Sequence, residues 1–233
     1  MNISAPGLKL PQLTIYGEKY RQRPWLLLTG GRPPAAGWLQ QLPRVSQIYA
    51  ADHGLDICRA CSIQPHYILG DGDSAAPDTW AWGKTLGVPV EEFPPAKDYT
   101  DTQLALQKMN KAPLILISGA FGGRFDHLYS LLFSCAMESI PCVLIDEQEF
   151  ICFIKDGEEV LFKFAKIPEA ISLLPFTPVC TGVTINNVRW PLAGAQLTQM
   201  TPTAISNELM PDMSNLTLTI EQGILGFYCH WQA

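Results

Sequence analysis

Leu114-Ile-Leu-Ile-Ser118 runs directly into Gly119-Ala-Phe-Gly-Gly-Arg-Phe-Asp-His127, and the reading of this junction decides the fold. A continuous apolar run, as opposed to an alternating one, marks a strand buried on both faces. Glycines then turn the chain, and Asp126 to Met137 has the spacing of a helix. The same unit recurs on either side. Apolar runs stand at Trp25–Thr29, Gln47–Ala51, His66–Leu69, Val88–Val90 and Cys142–Ile145, with helix-like stretches at Asp78–Leu86 and Thr100–Met109. Thr100 followed by Gln103 predicts a capping box, with Asp101 in the first helical turn. The pattern predicts an α/β arrangement, a mostly parallel sheet flanked by helices on both faces.

After about Phe150 the period changes. Short β-rich pieces appear at Phe150–Ile154, Glu159–Phe164, Ala170–Leu174, Val179–Thr184, Asn187–Leu192, Leu216–Ile220 and Ile224–Tyr228. Asp156-Gly157, Asn186-Asn187 and Gln222-Gly223 supply turns between them. This half predicts an antiparallel β-sandwich or barrel. The expected division is an extension or early edge element over 1–22, an α/β domain over 23–148 and a β-sandwich domain over 149–233.

Composition narrows the function classes. The chain has 233 residues, 47% of them hydrophobic and 16% charged, with a formal charge of −6. That balance argues against nucleic acid as main partner. No apolar run approaches the roughly 20 residues that cross a bilayer. Met1–Tyr20 is broken by prolines and glycines and lacks a signal-type apolar core, so a cytoplasmic protein is expected. Seven scattered cysteines suit a reducing compartment, and Cys58 and Cys61 read as one buried helical face.

In an open parallel sheet, ligands bind beyond the carboxyl ends of the strands. The strands lead in turn into Gly30-Gly31-Arg32, Asp52-His53-Gly54, Gly70-Asp71-Gly72-Asp73-Ser74, Lys97-Asp98-Tyr99-Thr100-Asp101 and Gly119 to His127. Asp71 and Asp73 are two apart, so in an extended segment both carboxylates point one way. With Asp98 or Asp101 they form a hard-oxygen set suited to magnesium. Gly122, Gly123 and Arg124, at a helix start, suit phosphate oxygens, and Lys97 adds a second cation. Gly83-Lys84-Thr85 fails as a Walker loop because Asp78 stands where its first glycine belongs. Gly70-x-Gly72-x-x-Ala75, with Glu91 and Glu92 downstream, approximates a dinucleotide fingerprint, but its interleaved aspartates repel a bare pyrophosphate unless a cation intervenes. In the second half, Trp190 reads either as core or as a platform for a flat cationic ligand.

These motifs resemble the thiamine pyrophosphokinase family over about residues 24–230. The family's Ala-Asp-Gly-Gly segment is similar to Ala51-Asp52-His53-Gly54, and its Gly-Asp-x-Asp-Ser to Gly70–Ser74. Its Asp-x-Asp-x-Thr-Asp is similar to Ala96–Asp101, and its Gly-Gly-Arg-x-Asp-His to Gly122–His127. The resemblance implies magnesium on Asp71, Asp73 and Asp101. It implies ATP and its phosphates near Gly30, Asp52, Lys97, Gly122, Gly123, Arg124, Asp126 and His127, and thiamine near Thr184, Trp190, Ser206 and Asn207. It further implies a homodimer whose sites are shared between copies. The reaction implied is attack of thiamine's hydroxyl on the β-phosphorus of ATP, with Asp98 a candidate proton acceptor. A diphosphokinase acting on a hydroxymethyl pterin and a non-catalytic thiamine or nucleotide binder are the alternatives. Three positions depart from the pattern: His53 replaces a glycine, Ala96 an aspartate, and Gly72 a larger residue.

Overall fold

A computed structural model describes residues 7–72, 75–94 and 98–232. The chain opens with strands β1 (Leu8–Lys9) and β2 (Leu13–Tyr16). Strand and helix then alternate through β3 (Trp25–Leu28), α1 (Ala36–Leu39), β4 (Ile48–Ala51), α2 (Gly54–Ala60), β5 (Tyr67–Gly70), α3 (Pro77–Thr85), β6 (Val90–Glu92), α4 (Asp101–Lys108), β7 (Ile115–Ser118), α5 (Phe125–Met137) and β8 (Cys142–Ile145). Seven strands complete the chain: β9 (Glu149–Lys155), β10 (Glu159–Phe164), β11 (Ala170–Pro175), β12 (Val179–Ile185), β13 (Leu192–Thr198), β14 (Asn215–Thr219) and β15 (Ile224–His230). The fold is mixed α/β, with a parallel arrangement and an antiparallel one.

Two compact units emerge, one of Arg23–Gln40 with Arg44–Asp146, the other of the remaining residues. In the first, the strand order is β8-β7-β3-β4-β5-β6. Every pairing there is parallel. Leu27, Leu28, Ile115–Ile117 and Val143–Ile145 are fully buried, as continuous apolar runs require. Order reverses at β3, whose neighbours β4 and β7 lead away in opposite directions. That reversal marks a switch point, where a crevice opens at the carboxyl edge of the sheet.

In the second unit, β1-β2-β10-β14-β12-β13 are antiparallel neighbours, and β15 pairs with both β11 and β9. Leu13–Tyr16, expected as part of an extension or early edge element, pairs with Leu161–Phe164. Phe162 stacks on Phe227 with centroids 4.0 Å apart, and Phe150 meets both edge-on, so these rings fill the core.

Two expected elements need correction. The fourth parallel strand spans Val90–Glu92, two residues later than Val88–Val90, because its apolar signal was only three residues long. Asn187–Leu192 is no strand: Asn187 adopts φ 59°, which turns the chain, and β13 begins only at Leu192.

Candidate functional site

The switch-point crevice is built by backbone contact between the β3 and β7 loops. Thr29 N–H donates to the Ser118 carbonyl (3.0 Å), Gly31 N–H to Gly119 (2.5 Å) and Arg32 N–H to Phe121 (2.5 Å). The Thr29 hydroxyl also donates to the Gly119 carbonyl at 2.7 Å. A Cβ on Gly31 would run into the carbonyls of Gly119 and Phe121, so only glycine permits this approach. Arg32 donates through Nε and a terminal nitrogen to the buried carboxylate of Asp146 (2.9 and 2.6 Å), anchoring the loop to the end of β8.

The β4 loop supplies the opposite wall. Asp52 sits at φ 50°, held by its N–H to the Leu69 carbonyl (3.1 Å) and by Leu55 N–H to its own carbonyl (3.0 Å). Its carboxylate lies against Gly70, where a Cβ would collide with it. The resulting cleft, of about 250 Å³, is lined by Gly30, Asp52, His53, Thr102, Arg124 and His127, with apolar floor from α5.

Arg124 is the N-cap of α5, and its guanidinium clasps Asp126 two residues on, at 3.1 and 2.6 Å. The guanidinium holds the Asp126 carboxyl below the usual carboxylate range, and that carboxylate raises Arg124 in turn. Both groups are exposed, so water screens the pair and leaves it open to exchange for a phosphate.

The expected metal ligands are only partly placed. Asp101 is the first residue of α4 behind the predicted capping box, in which Gln103 N–H donates to Thr100 Oγ1 (3.2 Å) and Thr100 N–H to Gln103 Oε1 (2.9 Å). Asp71 follows β5 directly, and Asp98 lies exposed just before α4. Asp73 and Lys97 fall outside the described residues, as do Ser74 and Ala96. The extended-segment argument pairs Asp71 with Asp73, which lies outside the described residues. Gly72, next after Asp71, stands at φ +75°, and a Cβ there would lie 2.9 Å from the Trp80 indole nitrogen. Far from loosening this loop, Gly72 is what its path requires. Among the described residues no three metal-ligating side chains cluster. Asp71 and Asp101 are both oxygen donors placed after strand ends of the parallel sheet, which suits a hard divalent cation.

The rejected motifs have structural roles. Lys84, inside α3, pairs with Glu92 at 2.6 Å. Glu91 pairs with Lys108 (2.8 Å) and accepts from the Tyr67 hydroxyl (2.7 Å), so both glutamates have partners within the protein. Lys108 draws the Glu91 carboxyl below its ordinary range.

A second cleft, of about 270 Å³, lies within the β-rich unit, lined by Ile171, Leu173, Ile185, Leu192, Leu197 and Trp190, with Asn207 beside them. Trp190 is 54% exposed, which removes the core reading, and the Arg189 guanidinium lies 4.7 Å from its ring centroid. Asn207 clamps the Trp190 backbone, accepting from its N–H (3.1 Å) and donating to its carbonyl (2.8 Å). Ser206, at φ 58°, donates its N–H to Ser172 Oγ at 3.0 Å. Thr184 accepts from Gly194 N–H at 2.9 Å and is not among the residues lining this cleft.

Sequence reasoning missed Thr102, Leu128 and Leu131 as lining residues of the first cleft. Leu128 and Leu131 stand four and seven residues after Arg124, a helical spacing that identifies them as its face-mates.

The catalytic-domain model of thiamin pyrophosphokinase matches residues 39–144, and the model of its vitamin B1 binding domain matches 160–225. A thiamine pyrophosphokinase structure from Bacillus subtilis superposes with a TM-score of 0.78 at 26% identity, covering 91% of this chain and all of that one. At lower identity, which speaks to fold alone, the enzyme from Geobacillus thermodenitrificans gives 0.75 at 22%, covering 90% of this chain and 98% of that one. The Candida albicans enzyme gives 0.74 at 14%, with 90% and 89% covered. No curated protein sequence matches the chain. Both halves of one enzyme's domain pair are thus present in order, each with its own cleft, and the chain belongs to the thiamin pyrophosphokinase family.

Proposed function

We propose that this thiamine diphosphokinase moves a diphosphate from ATP to the hydroxyethyl group of thiamine, releasing AMP, with magnesium as its metal. The observation that carries the reading is the pairing of two unlike clefts. One is polar and glycine-built, with Arg124 and His127 at its edge; the other is apolar, with an exposed indole.

ATP occupies the cleft of the 23–148 region, its phosphates beside Arg124 and His127 and between the Gly30 and Gly122–Gly123 loops. Asp71 and Asp101, with Asp73, hold the cation, which when bound neutralises phosphate charge. Asp52 lines the nucleotide side. The thiamine hydroxyl attacks the β-phosphorus in line; the bond to the α-phosphate oxygen breaks, AMP leaves, and Asp98 takes the hydroxyl proton. An alcohol is a weak nucleophile, so positioning and charge neutralisation supply most of the rate. Lys97 adds positive charge to the transferred group.

Thiamine lies in the 149–233 region, whose two antiparallel layers meeting through Phe162 and Phe227 support the sandwich reading. The Trp190 face accepts its cationic ring system. Asn207 holds that indole's backbone in place, Ser206 precedes it as one polar partner, and Thr184, on β12, is the other. The protein acts as a cytoplasmic homodimer, with sites shared between copies; no described helix is long and apolar enough to cross a membrane.

The test is to incubate purified protein with ATP, magnesium and thiamine and to measure AMP and thiamine diphosphate. Equal amounts of both are expected. AMP formed only with a hydroxymethyl pterin would replace the acceptor, and binding of both ligands without turnover would replace the reaction.

A further inference from the structure

His53 stands where the family pattern has glycine, and the proposed reaction gives it no role. Its backbone, at φ −56° and ψ −14°, is ordinary right-handed geometry, so nothing in the chain path demands glycine there. Its side chain is exposed and lines the cleft. Its position is fixed from two sides. Gly54, next in sequence, is pressed so closely on the Leu28 carbonyl that no side chain fits. Across the loop, a Cβ on Gly30 would lie 2.8 Å from the His53 Cβ and 3.4 Å from Nδ1. The imidazole therefore lies over the first glycine after β3, at the sheet wall of the cleft.

Arg124 and His127, from α5, line the same cleft. The guanidinium is already engaged by Asp126, so the cleft holds less uncommitted positive charge than its basic residues suggest. Asp52 precedes His53 in the chain, and Asp56 follows it on α2. The Asp56 carboxylate is turned to the Ala76 N–H (3.3 and 3.4 Å). Thr102, from α4, is neutral.

We propose that His53 is a phosphate-contacting residue of this cleft. The proposal rests on the reading of the cleft as the ATP site. An imidazole offers a phosphate oxygen at least one N–H donor whichever protonation state it takes, and here that donor stands over the glycine loop that leaves β3.

The experiment is calorimetric titration of ADP with magnesium chloride into wild type, His53→Gly, His53→Leu and His53→Gln. His53→Gly and His53→Leu, which lack a donor, should weaken binding about tenfold. His53→Gln, which keeps a neutral N–H donor, should stay within about threefold of wild type. If His53→Gly fails to fold, the comparison of His53→Leu with His53→Gln carries the test. Donor-lacking and donor-keeping variants that bind ADP equally would overturn the contact. Wild type that binds no ADP would overturn the nucleotide reading, and this proposal with it.

Discussion

The cleft of the parallel-sheet unit depends on glycines that let loops approach, with polar side chains set around them, whereas that of the β-rich unit is formed by bulky apolar side chains. At the β3–β7 crevice, Gly31 and Gly119 let two loops approach to backbone hydrogen-bonding distance, and Gly70 leaves room for the Asp52 carboxylate. In the other unit, branched aliphatic residues from several strands form a floor, and Trp190 stands over it with Asn207 holding its backbone. Highly charged phosphates need backbone and charged groups close at hand, and bulk would keep them away. A flat organic cation needs apolar area and a π face. The two units therefore differ in what mutation should do to them: the first is sensitive to added atoms, the second to removed ones.

That contrast can be broken most severely at Gly54. Gly54→Ala forces a Cβ into the Leu28 carbonyl, and should cost about 3 kcal/mol or more, or prevent folding. Urea denaturation reads the loss; a fully stable variant would show that the α2–β3 contact yields. Next, Asp71→Asn should lower turnover about 10²-fold, as expected for losing one preorganised electrostatic group, while the melting temperature stays near wild type. Unchanged turnover would remove Asp71 from the metal set. Trp190→Ala should raise the thiamine KM about tenfold with ADP affinity intact, because the exposed indole contributes to ligand more than to core. A matching loss of ADP affinity would erase the division of labour between the clefts.

Asn207→Ala removes two hydrogen bonds to the Trp190 backbone. It should raise the thiamine KM about fivefold, in line with roughly 1 kcal/mol of lost order. The smallest effect concerns acid stability. Lys108 holds the Glu91 carboxyl below its ordinary value, so the pair's contribution is fully present above the unfolded carboxylate range and is lost as pH falls through the folded value. Lys108→Met should flatten that part of the urea-midpoint profile between about pH 5 and about pH 3; an unchanged profile would show that another carboxylate governs it.

Much of the parallel-sheet unit was legible because its signals are local. Apolar runs at Leu114–Ser118 and Cys142–Ile145 coincide with strands to within a residue, and the Thr100–Gln103 capping box forms as read. Asn187–Leu192 misled for the converse reason. Val188, Trp190 and Leu192 have strand-like alternation, but Asn187 takes a left-handed turn whose amide reaches Asn215, a partner 28 residues away. The pairing of Leu13–Tyr16 with Leu161–Phe164 was equally hidden, since alternation marks a strand without naming its neighbour.

By itself the sequence determined which residues could carry the chemistry and in what order they leave the strands. Aspartates, glycines and Arg124 at strand ends are dictated by apolar periodicity and turn chemistry, both set within a few residues. Tertiary structure decided what those residues can still do. Arg32 is committed to buried Asp146, Arg124 is shared with Asp126, Gly72 takes a left-handed backbone angle after Asp71, and Trp190 faces outward. Each of these depends on a contact or a backbone angle that composition and spacing do not encode. His53 shows both levels at once: sequence marks it as a departure, and only the packing of Gly30 and Gly54 around it turns that departure toward the cleft.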